Sequence, residues 1–257
     1  MPPTVKVKSS DTAVRKHRED AAQRVIEHFA KRLPDRRLLC FFDDEDWHAL
    51  KQEAGAANRG CYSPVRPGGL GWPPDYLSEC LVVDSQFAFD DLVYLHGSTC
   101  ECELGLTMTF AHELQHFVQH SILPTVWAAN AVAAYTLRSL DSYDIEALRL
   151  RSCDIPHERE ARIVAKRAAE NLFGTDAVNQ YIDAKIAERV NEQDVADWEC
   201  IRGLVASTPY DLTRETKLFF PRLAAFRPRL ERSFRYLRQS DPRFNDLNLD
   251  TLLGGTG

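Results

Sequence analysis

The chain has 257 residues, 44% hydrophobic and 27% charged, with 32 Lys and Arg against 38 Asp and Glu and a formal charge of −6. That composition fits a globular protein with a sizeable core and excludes a disordered chain and a uniformly basic nucleic-acid binder. The longest mostly apolar stretch, Thr125 to Leu137, is shorter than the ~20 residues that cross a bilayer, and residues 1–22 lack the apolar core of a secretory signal, so the expected compartment is the cytoplasm.

In chain order, residues 1–12 are polar and contain proline, which predicts a flexible tail. From Ala13 to Leu33 the positions Val14, Ala21, Val25, Ile26 and Phe29 recur at helical spacing, and Pro34 follows, so a first amphipathic helix is expected there. Leu38 to Phe42 is a short apolar run bounded by charge and reads as a buried strand. The glycines and prolines between Gly55 and Pro74 predict a long loop. Glu79 to Asp84 and Leu92 to Leu95 read as two further strands. Beyond Ser98 only helical patterning remains, over about 99–121, 123–139, 142–151, 156–173, 176–190, 194–206 and 213–238. The expected architecture is therefore a mainly helical α+β chain with a small early sheet. Its expected organisation is a tail over 1–12, one domain over 13–209 and a helical carboxyl-terminal extension over 210–257.

The stretch from Thr109 to His120 contains the pattern HExxH, as His112-Glu113-Leu114-Gln115-His116. Random placement of this chain's histidines and glutamates would produce it only ~0.016 times. Four residues along a helix rotate a side chain by only about 40°, so His112 and His116 leave the same face one turn apart, as two ligands of one Zn²⁺ must. Glu113 lies beside them, placed to act as a base towards a metal-activated water. Ser98 and Glu101 have the spacing of a capping box, which starts the expected helix near Thr99 and sets the motif well inside it. His120 lies about 12 Å from His112 along the same helix, too far to join both on one ion, and is expected as a supporting or surface residue.

A third protein ligand is required. Pro156 suits the first turn of a new helix, and on its wheel Glu158 points into a face of small apolar residues that includes Ala161, Ala165, Ala168 and Ala169. A carboxylate there is costly unless paired or metal-bound. Glu158 is the expected ligand. Glu160, falling beside Arg167 on the opposite side, reads as a solvated charge and is the alternate.

HExxH followed on a later helix by Glu-x-x-Ala-x-x-x-Ala, here Glu158, Ala161 and Ala165, resembles the glutamate-zincins, and in particular the compact ImmA/IrrE-like metallopeptidases. The likeness covers roughly residues 95–175. It implies a zincin-like fold, a Zn²⁺ held by His112, His116 and Glu158, Glu113 as general base, and hydrolysis of a protein or peptide substrate. Those families carry Asn or Asp four residues after the ligand glutamate, where this chain has Arg162, which is close enough in sequence to pair with Glu158.

Other features carry less chemistry. Seven cysteines are scattered without a CxxC pair and are expected as reduced thiols. Residues 201–257 have a net charge of +4, against −10 for the first 200. There Arg222, Arg227, Arg229, Arg232, Arg235 and Arg238 interleave with Phe219, Phe220, Phe226, Phe234 and Tyr236. The expected form is an amphipathic helix with a solvated arginine face and a packed aromatic face, although the same mix suits a nucleic-acid or acidic partner. The alternative to a peptidase is thus a non-catalytic interaction protein that retains a zincin fold and works through this basic surface.

Overall fold

The computed structural model describes residues 3–43, 60–64, 90–96, 102–138, 140, 150–189, 192–207, 209–240 and 242–254. Two compact units are present, one comprising Met1–Val118 with Arg167–Val178 and the other Gln119–Lys166 with Asn179–Gly257. Among the described residues the chain is mainly helical with one small sheet, and no helix is long and apolar enough to cross a membrane.

The first unit is built on a four-stranded sheet of order β1-β2-β4-β3, with β1 Thr4–Lys8, β2 Leu38–Asp43, β3 Gly60–Pro64 and β4 Asp91–His96. β1 and β4 run parallel to β2, and β3 runs antiparallel to β4, with Tyr62 opposite Val93. The two central strands are buried apolar runs, Leu38–Phe42 and Leu92–Leu95, as strands covered on both faces require. The expected strand at Leu92–Leu95 is β4.

Both outer strands depart from expectation. Thr4–Lys8 is not a tail: Val5 and Val7 alternate with Lys6 and Lys8, and the segment pairs in register with Leu39–Asp43. Lysines on an outer strand discourage further pairing. Gly60–Pro64 falls inside the expected loop, yet it forms β3, because an outer strand tolerates glycine and proline that a central one would not. Tyr62 explains the attachment. Its hydroxyl donates to Asp91 Oδ1 at 2.7 Å, and Arg36 pairs with the fully buried Asp91 carboxylate at 2.7 Å. The expected strand at Glu79–Asp84, most of the expected loop and the Ser98/Glu101 capping box lie outside the described residues.

Helix α1, Thr12–Phe29, starts at Asp11, whose Oδ1 accepts from the backbone N–H groups of Ala13 and Val14. Its buried face is Ala21, Ala22, Val25, Ile26 and Phe29. His28, half-buried, has its pKa lowered from the ordinary 6.5 by burial first and then by the guanidinium groups of Arg32 and Arg167. The unfolded chain therefore takes this proton before the folded one. The stabilising contribution is complete above about pH 6.5 and is lost as pH falls through the lowered folded value. His28→Gln is expected to flatten the loss of stability between pH 7 and 5, read from urea midpoints at each pH; an unchanged slope would show that this histidine is not responsible.

Helix α2, Glu103–Ile122, carries the HExxH pattern. Its start uses Cys102, whose Sγ accepts from the Gly105 N–H at 3.3 Å. In the first unit it covers the sheet through Phe110, edge-on to Phe42 with centroids 5.2 Å apart, and through Phe117 against Tyr62. Arg32, at the end of the α1 turn, donates to Gln115 Oε1 at 2.7 Å.

The second unit contains α3 Pro124–Arg138, a 3₁₀ turn at Ser152–Asp154, the first turns of α4 Pro156–Phe173, most of α5 Thr175–Glu188, then α6 Glu192–Gly203, α7 Leu212–Phe219, a 3₁₀ segment Phe220–Phe226, α8 Arg227–Ser240, a 3₁₀ turn Pro242–Asp246 and α9 Leu249–Leu252. The expected helix over 142–151 lies almost entirely outside the described residues. The single helix expected over 213–238 is divided, with Pro221 opening the 3₁₀ segment and Pro228 the next helix, each lacking the N–H that a continuous helix needs.

Residues 210–257 belong to the second unit. Phe219, Phe220, Leu223, Leu230 and Phe244 share one core with Ala129, Val132 and Ala133 of α3, and Asn130 Nδ2 donates to Thr216 Oγ1 at 2.7 Å. Phe219 and Phe220 are buried, and Phe226 and Phe234 pack partly buried against the same core, whereas Tyr236 is exposed; Arg227 pairs with Glu231 and Asp250, and Arg238 with Asn245.

Lys166 is 5% exposed, and its ammonium donates to the carbonyls of Ile201, Arg202 and Leu204 at 3.3, 3.0 and 2.7 Å. Three donors meet three acceptors at the negative end of α6, which offsets the cost of burying the charge. Lys166→Met is expected to leave these carbonyls unmet and to destabilise by about 2–4 kcal/mol, read as a lower urea midpoint at unchanged slope. A midpoint equal to wild type would contradict this role.

Candidate metal centre

His112 and His116 sit on α2 with their Nε2 atoms 3.0 Å apart and their rings perpendicular, centroids separated by 4.6 Å. His116 is buried and His112 partly exposed, so the pair has one solvent-facing side. Glu113 is 7% exposed. The sequence produces this arrangement because the helix is apolar nearly all round, with Phe110, Leu114 and Phe117 buried, so the imidazoles and the carboxylate are carried inward with it.

Glu158 lies in the first turn of α4. One ligand atom each of His112, His116 and Glu158 lie within 4.8 Å of one another. Two residues after Glu158, Glu160 is not the solvated charge expected. Gln119, one turn beyond His116 on α2, donates its amide N–H groups to Glu160 Oε2 at 2.8 Å and to the His157 carbonyl at 2.9 Å. Gln119 thereby fixes the first turn of α4. Sequence reasoning passed over it because a glutamine in an apolar helix acquires meaning only once its partner is known.

The remaining neighbours separate cleanly. His157 Nε2 is 3.6 Å from Glu158 Oε1. Arg162 forms an ion pair with Asp197 of α6 at 3.6 Å. His120 is buried and packs edge-on against Trp127, which excludes a surface position.

The donor set fits a divalent ion. Two imidazole nitrogens bound to zinc at 2.0–2.1 Å with tetrahedral angles stand about 3.3 Å apart, close to the 3.0 Å seen here. With a carboxylate the donor types are two nitrogens and one oxygen, a combination that catalytic zinc sites use together with a water or substrate.

Because Gln119 holds the turn that carries Glu158, Gln119→Ala is expected to weaken about 10–100-fold the affinity for a zinc ion offered to this cluster, the range for residues that orient ligands. Competition with a chromophoric chelator reads this directly, and wild-type affinity in the variant would remove Gln119 from the site. Compared with models of protein families, with curated proteins and with solved structures, the chain matches none.

Proposed function

We propose that this protein is a zinc-dependent metallopeptidase with a zincin-like fold, acting in the cytoplasm on a protein or peptide substrate. The observation that carries the reading is the approach of ligand atoms from His112, His116 and Glu158 to within 4.8 Å of one another. It is supported by the placement of HExxH in a buried helix over a sheet and of the third donor on a later helix. Cys40, Cys102, Cys153 and Cys200 are free thiols, which suits a reducing compartment.

His112, His116 and Glu158 would hold the ion. When bound, zinc would supply Lewis acidity, polarising a carbonyl and lowering the pKa of a water from 15.7 towards ~7. Glu113, next to His112 and largely shielded from solvent, takes the proton that water gives up on attack and delivers it to the departing amine.

The test is hydrolysis of an unstructured protein such as casein by the zinc-loaded full chain. New amino termini should appear, stop on treatment with a chelator and return on adding zinc. Zinc bound at one site with no cleavage of any peptide library would favour a non-catalytic protein working through its arginine-rich carboxyl-terminal face.

A further inference from the structure

Away from the metal centre, two cysteines from distant parts of the sequence meet within the second unit. Cys153 lies in the 3₁₀ turn Ser152–Asp154 that leads into α4, and Cys200 lies in the last turns of α6. The turn packs against α6. Cys153 is 2% exposed and Cys200 is half-buried, and the two thiols are hydrogen-bonded to each other. The Arg162–Asp197 ion pair ties α4 to α6 beside them, Asp197 being one turn before Cys200. A thiol pair in contact, one member open to solvent and the other enclosed, is the arrangement that disulfide chemistry needs.

We propose that Cys153 and Cys200 form a reversible oxidation site that reacts with a hydroperoxide, Cys200 as the attacking thiolate and Cys153 as the resolving thiol. The division of labour follows from the surroundings. The hydrogen bond from Cys153 lowers the Cys200 pKa, with Arg162 and Arg159 adding to the effect and burial and Asp154 opposing it. The same contact, together with burial, raises that of Cys153. The thiolate is the reactive form, and the more accessible sulfur is the one that holds it.

The Cys200 thiolate attacks one peroxide oxygen, the O–O bond breaks, and a sulfenic acid forms while the other oxygen leaves as hydroxide and takes a proton to become water. Cys153 then attacks the Cys200 sulfur, its proton leaving with the displaced hydroxide as a second water. Two thiols and one hydrogen peroxide thus give one disulfide and two waters, with sulfur losing two electrons and peroxide gaining them. Closure brings the sulfurs from hydrogen-bonded contact to about 2.05 Å. A dithiol reductant reverses it by thiol–disulfide exchange.

This inference is independent of the metal. The full chain, freed of reductant, is treated with hydrogen peroxide near pH 7, its remaining thiols are alkylated, and it is digested with trypsin without reduction. The expected product is peptide 152–159 joined to peptide 190–202, lighter by two hydrogens than their sum, with both thiols lost together and both recovered with dithiothreitol. Cys153→Ser should stop at a sulfenic acid on Cys200 that dimedone captures, and Cys200→Ser should leave Cys153 a thiol. If the exposed Cys102 is oxidised while Cys153 and Cys200 stay reduced, or if Cys200 proceeds to sulfinic acid with Cys153 untouched, the proposal is overturned.

Discussion

Replacing Glu113 by glutamine is expected to lower peptide hydrolysis by about 10²–10⁴-fold, the contribution of a positioned general base, while zinc content stays at about one ion per chain. Glutamine keeps the size and much of the hydrogen bonding of glutamate but cannot take a proton, and Glu113 is not among the proposed ligands of the ion. The substitution therefore separates chemistry from binding. The loss should appear in kcat and in kcat/KM alike, because the interaction removed exists only in the transition state. Glu113 is buried in α2, so the folded state should tolerate the neutral side chain, and the urea midpoint should not fall. Full activity in this variant would remove Glu113 from the mechanism.

The second large effect concerns the ligands. His116→Ala and Glu158→Ala should each weaken zinc binding by more than about 100-fold, beyond the range seen for residues that merely orient ligands. Glu160→Ala should keep the ion far better, because Glu160 is engaged by Gln119. The contrast between Glu158 and Glu160 matters most, since the two carboxylates share one helical turn and differ only in direction. Equal losses from both would mean that the first turn of α4 holds the ion in some other way, and a loss only from Glu160→Ala would reverse the assignment.

Much of the fold is legible in the sequence. The bounds of α4 are those expected, Pro156 to Phe173, because proline at the first position and Gly174 just beyond the end mark both termini. Gly174 adopts φ +85°, and its N–H closes on the Glu170 carbonyl at 2.9 Å. The central strands are legible for a similar reason, as each is an uninterrupted apolar run. Local patterning was enough wherever an element buries a continuous face.

What escaped is non-local. β1 and β3 have few apolar residues and become strands through pairing with β2 and β4, and through the bond from Tyr62 to Asp91, 29 residues away. A helical wheel put Glu160 in solvent because it knows only its own helix, whereas Gln119 reaches it from α2. The approach of Cys153 to Cys200 is invisible for the same reason, as neither spacing nor composition brings residues 47 positions apart together. The division of the expected 213–238 helix has a local cause instead: Pro221 and Pro228 interrupt a run whose arginines and phenylalanines recur at regular spacing.

The most direct test is a crystal of the zinc-loaded full chain measured at the zinc absorption edge. One anomalous peak should lie at bonding distance, about 2.0–2.2 Å, from a nitrogen of His112, a nitrogen of His116 and an oxygen of Glu158, with the fourth position occupied by solvent. A peak elsewhere, or one bound to the two histidines with the Glu158 carboxylate turned away and no other donor in its place, would contradict the account.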